Sequence, residues 1–125
     1  MAITVEWDNQ TRTVAIFHFT EGWTWDELYV AVARYNEMVD SVTHSVCMII
    51  DIPPEHRVPP AFTTHAKNIA NQMRPHAYGG VIVSKSYATR LIIGTLRNLR
   101  DPNALRFRFA DSIDKARKML AEPVR

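Results

Sequence analysis

Residues 13–51 read TVAIFHFTEGWTWDELYVAVARYNEMVDSVTHSVCMIID, and this stretch decides the fold. From Thr13 to Phe19 the residues alternate, with Val14, Ile16 and His18 on one side and Ala15, Phe17 and Phe19 on the other. That is the period of a strand. Gly22 breaks the run, and Thr24 with Glu27 then has the spacing of a capping box. Trp23 before the cap and Leu28 after it are spaced as a hydrophobic staple. Trp25, Leu28, Val32, Tyr35 and Val39 recur at helical spacing, which predicts a helix to about Asp40 with that stripe on a sheet. Core and staple roles explain the tryptophans better than a ligand-stacking pair does. Val46 to Asp51 then reads as a central strand buried on both faces. Strand, capped helix and buried strand in succession make a parallel crossover.

The same reading extends outward. Ile3, Val5 and Trp7 alternate with Thr4 and Glu6, and residues 8–11 carry turn chemistry, so the first two strands form an antiparallel hairpin. Residues 51–60 hold four prolines, and Pro60 suits the first turn of a second helix. That helix carries Phe62, Ala66, Ile69, Ala70 and Met73 inward and stops near Arg74, before Pro75. Gly79-Gly80 leads into a short buried strand, Val81 to Val83. Ser84 or Ser86 caps a third helix, with Ala88, Leu91, Ile92, Thr95 and Leu99 on one face. Leu105, Phe107 and Phe109 alternate with outward Arg106 and Arg108 in a short strand near an edge. Asp111 or Ser112 caps the last helix, with Ile113, Ala116 and Leu120 inward. The order β-β-α-β-α-β-α-β-α predicts a single α/β domain over residues 1–125, a mixed sheet of about five strands with four helices.

Composition sets the outer bounds. With 125 residues, 46% hydrophobic and 22% charged, the chain can bury a core without disulfides or metals. Its one cysteine, Cys47, lies in an apolar run and reads as a buried small hydrophobe. The strand-like start lacks the regions of a signal peptide, and no apolar run reaches the roughly 20 residues of a membrane span. The expectation is a cytoplasmic protein. The net charge of +2 hides an asymmetry: residues 1–55 hold nine acids and two arginines, whereas residues 56–125 hold thirteen Lys/Arg and four acids. Such a division marks an interaction surface unless the halves interleave in one small fold.

The segment order, the length, the strand end Ile49-Ile50-Asp51 and the closing Phe109-Ala-Asp-Ser-Ile-Asp-Lys-Ala116 together resemble the STAS fold. More loosely, the chain resembles the SpoIIAA-like group, which shares a fold with lipid-binding Sec14 domains. The resemblance implies a small regulatory domain that binds protein partners. Antagonist members carry an Asp-Ser-Ser-Gly-like stretch at the start of the second helix. Here Pro59-Pro60-Ala61-Phe62 stands in that place, so the phosphorylatable serine is absent. Thr63 and Thr64 lie close by, inside the predicted first turn, and the phospho-switch is not carried over.

Catalytic chemistry is hard to assemble from the remaining residues. His56 and His65, with Asp51, Glu55 and Arg57, share the proline-rich loop and the start of the second helix. No His-x3-His spacing or nucleophile motif accompanies them, so neither a metal nor any cofactor is expected. Ser84-Lys85-Ser86 follows a strand and opens a helix, where backbone N–H groups and Lys85 favour an anion. Arg90 and Arg97 are seven residues apart and fall on nearly one line of that helix. The loops at the carboxyl ends of the parallel strands are the general place for a ligand.

Three functions follow in order. The first is a non-catalytic STAS-like regulatory or protein-interaction module, working through an unknown protein partner or as a homo-oligomer. The second is a small carrier of an anionic or lipid-like ligand. Nucleic-acid binding through the arginine-rich second half is the weakest, and enzymatic activity ranks below all three as an outside alternative.

Overall fold

The computed structural model describes residues 2–53, 60–77, 79–86 and 107–121 of the chain. Within them lie a five-stranded mixed sheet and three helices. The strands are β1 (Ile3–Trp7), β2 (Val14–Phe19), β3 (Cys47–Asp51), β4 (Gly80–Val83) and β5 (Phe107–Ala110). The helices are α1 (Trp25–Asp40), α2 (Phe62–Gln72) and α3 (Ile113–Ala121). The helix expected between Ser84 and Asp101 lies outside the described residues.

β1 pairs antiparallel with β2, and β2 through β5 run parallel in sequential order. Asn9 shapes the hairpin turn, its Oδ1 accepting from the N–H groups of Thr13 and Val14 at 3.0 and 3.3 Å. In a sequential parallel order, crossovers of one hand put their helices on one face, and α1 and α2 share such a face. That face carries Ile3, Val5, Ala15, Phe17, Phe19, Met48, Ile82 and Phe107, packed with Ala31, Tyr35 and Val39 of α1. Phe62, Ala70 and Met73 of α2 join the same cluster. Ile16, Ile49, Val81, Val83 and Ala110 lie on the other face under Ala116 of α3. The two-residue period of β2 therefore feeds two separate cores.

The capping box forms at the expected place. Thr24 Oγ1 accepts from the Glu27 N–H at 3.3 Å, and Glu27 Oε1 accepts from the Thr24 N–H at 3.2 Å. Glu27 Oε2 also accepts from the Ala2 N–H at 3.0 Å, tying α1 to the start of β1. Ser112 caps α3, its Oγ accepting from the Lys115 N–H at 3.2 Å. Two local expectations need correction. Pro60 lies outside α2: the helix begins at Phe62, behind Ala61 at φ 67°, with no side-chain cap. Cys47 is half-buried rather than buried: it opens β3 and pairs with Val14, itself half-buried at the start of β2.

β5 lies at a sheet edge, and Arg108 is exposed there as expected, donating to the Met119 carbonyl at 3.2 Å. At the opposite edge, Arg34 Nε reaches the Val5 carbonyl at 3.4 Å and covers one acceptor of β1. No helix among the described residues is long and apolar enough to cross a membrane.

Candidate functional site

α1 follows the carboxyl end of β2 and α2 follows that of β3, so both helices begin at the same end of the sheet. An aromatic ladder runs outward there from the core. Phe19 meets Trp23 edge-on at 5.2 Å, and Trp23 meets Trp25 edge-on at 4.9 Å. Trp25 stacks on His65 of α2 at 4.6 Å and touches Phe62 at 6.1 Å. Tyr29 closes the corner against the His65 ring at 5.5 Å. Phe19 and Trp23 are buried, whereas Trp25, Tyr29, Phe62 and His65 are half-buried.

Hydrogen bonds fix this corner. Trp25 Nε1 donates to the Pro60 carbonyl at 2.7 Å. The Tyr29 hydroxyl lies 2.7 Å from His65 Nδ1 and accepts from Asn68 Nδ2 at 3.4 Å. His65 Nε2 has no hydrogen-bond partner among the described residues. Thr64 is exposed in the same turn of α2.

The sequence-predicted grouping divides. Asp51 faces away from this corner, because it shares a sheet face with Ile16 and Ile49 while His65 packs against α1. On that second face His18 stands directly opposite Asp51, and its Nδ1 lies 3.2 Å from Asp51 Oδ2. His18 Nε2 lies 4.0 Å from Glu6 Oε1. Glu55, His56, Arg57, Arg90 and Arg97 lie outside the described residues. Thr63 occupies the first turn of α2 with Thr64, as expected.

Ser84 is buried, and its Oγ accepts from the Ser86 N–H at 3.1 Å, so this hydroxyl serves local structure. Lys85 is exposed. The charge asymmetry is partly consumed within the fold. Arg74 holds Asp40 through two contacts at 2.8 and 3.0 Å, and Arg117 holds Asp8 through two at 2.9 and 2.7 Å. Both pairs join an acid of the first half to a base of the second.

The guanidinium of Arg74 lowers the Asp40 carboxyl, and the Ala2 and Thr24 N–H groups lower that of Glu27. Burial raises the Cys47 thiol, which disfavours a reactive thiolate. Among the described residues no cluster of His, Cys, Asp and Glu is arranged to hold a metal ion. The described strands never reverse their order, so the crevice of a doubly wound sheet has no counterpart among them. Helical spacing puts Trp25 on the sheet-facing stripe and does not by itself show the aromatic corner. Its signal was present as Trp25 and Tyr29 four apart, and Phe62 and His65 three apart, which places each pair on one helix face. Comparison with known proteins found no matching family model, no matching curated protein and no matching solved structure.

Proposed function

We propose that this chain is a non-catalytic, STAS-like regulatory module that works by binding a protein partner through the aromatic corner. The observation that carries the reading is the stacked Trp25–His65 pair, half-exposed at the carboxyl end of the parallel strands beside Tyr29 and Phe62. Tryptophan and tyrosine dominate protein interfaces because they bury a large rigid area and keep a polar tip for orientation. Here the corner is already fixed by hydrogen bonds, so little ordering cost remains on binding. His65 Nε2, which makes no hydrogen bond among the described residues, remains as a polar tip for a partner to pair with.

The test is quantitative capture from native lysate by the wild type, Trp25→Ala and Thr64→Glu, with melting temperatures measured in parallel. Proteins retained by the wild type should be lost by both variants. Thr64→Glu is a surface change and should leave the fold intact. Equal capture by all three proteins contradicts the reading. Detection of small-molecule turnover by the pure protein contradicts its non-catalytic part. The carrier reading separates from it by native mass spectrometry, since a carrier retains a ligand mass on purification.

A further inference from the structure

Between the C-terminal halves of α1 and α2 lies a cleft of about 550 Å³, lined by Ala33, Asn36, Glu37, Asn71, Met73 and Arg74 among others. Asn36 is 7% exposed, yet its Oδ1 has no hydrogen-bond partner among the described residues. The orientation of this amide is fixed. Asn36 Nδ2 donates to the Gln72 carbonyl at 3.0 Å, one of the last carbonyls of α2. Rotating the amide would set two oxygens against each other at that distance, so the unpaired acceptor belongs to Oδ1. A buried acceptor without a donor carries a full desolvation penalty.

We propose that this cleft binds a small molecule carrying a protonated amine, which donates to Asn36 Oδ1 and pairs with Glu37. The inference is independent of the docking reading, since the cleft lies at the opposite ends of α1 and α2 from the aromatic corner. Three observations support a cation. The unpaired buried group is an acceptor, not a donor. Glu37 is exposed at the rim with no salt-bridge partner among the described residues. Arg74, the cleft's own cation, is committed to Asp40 through Nε and Nη2 at 2.8 and 3.0 Å and to the Gln72 carbonyl through Nη1 at 3.3 Å, so it neither repels the ligand strongly nor satisfies Glu37. The volume falls within the range of small-molecule sites, roughly 300–1,000 Å³. Oδ1 is shielded from bulk water in the free protein, so binding requires local opening of the cleft wall at Asn36.

The test is titration of the isotope-labelled protein with putrescine and, separately, with 1,4-butanediol, its uncharged analogue. The reading is the side-chain amide signal of Asn36 together with the dissociation constant. Putrescine should shift that signal saturably, and the diol should not. Glu37→Gln, a surface change that keeps the fold, should weaken putrescine binding on the order of tenfold, the worth of one charge-assisted hydrogen bond. Asn36→Leu should remove it. An unmoved Asn36 signal at saturating putrescine overturns the proposal and assigns Oδ1 to a trapped water. Equal binding of the diol overturns the requirement for charge. If Asn36→Leu fails to fold, the Glu37→Gln and diol results decide alone.

Discussion

Thr24 and Glu27 connect three parts of the chain through two side chains. The Thr24 hydroxyl caps α1, and the Glu27 carboxylate reaches both Thr24 and the Ala2 N–H. Thr24→Ala should therefore destabilise the protein by about 1 kcal/mol, measured by chemical denaturation. An unchanged midpoint would mean that α1 does not depend on this cap. Glu27 and Asp40 both have carboxyl groups held below their ordinary range, by N–H donors and by Arg74 respectively. A depressed folded value means that the unfolded chain binds the proton more readily. The stability these groups confer is thus present above about pH 5 and is lost as pH falls through 4 and below. The double variant Glu27→Gln, Asp40→Asn should flatten the acid limb of the stability profile, and an unaltered limb would place the acid sensitivity elsewhere. Thr24 and Glu27 were legible in the sequence because a capping box depends on local spacing alone. The Ala2 and Arg74 contacts were not, because each joins residues distant in the chain.

At the scale of elements, β3 and β4 pair with Met48 opposite Gly80. A Cβ on Gly80 would collide with the Met48 carbonyl oxygen, so this register requires glycine. Gly80→Ala should cost about 1–3 kcal/mol through forced separation of the two strands. Full stability would mean that the pair can relax at no cost. Strand existence and direction were legible from alternation and from the intervening helix, which is why β1 to β5 fall where expected. The start of α2 was harder to place, because Pro60 satisfies helix-start chemistry two residues before the chain turns helical through Ala61. The partner of Trp25 was hidden for another reason. Periodicity gives the side of a helix a residue occupies, but not whether the sheet or a neighbouring helix lies there. His65 supplied that answer only once α1 and α2 were side by side.

Across the whole molecule, the acidic and basic halves meet as internal pairs on both faces of the sheet. Asp8 has a side chain only 9% exposed, and Arg117 grips it from α3, whereas Lys115 and Asp111 form a pair exposed on both sides. Arg117→Ala should thus cost measurably more stability than Lys115→Ala, whose effect should stay below about 1 kcal/mol. Equal effects would mean that Asp8 is solvated well enough to stand alone. With these charges engaged inside the fold, the charge asymmetry is a weaker guide to a binding surface than the aromatic corner at the carboxyl end of the strands. The central claim, that partners bind at that corner, is tested most directly by placing a photo-reactive amino acid at Thr64, beside His65, and separately at Lys118, on the far side of the sheet. Irradiation in native lysate should give a defined higher-mass adduct from position 64 and none from position 118. No adduct at 64, or the same adduct from both positions, would contradict the account.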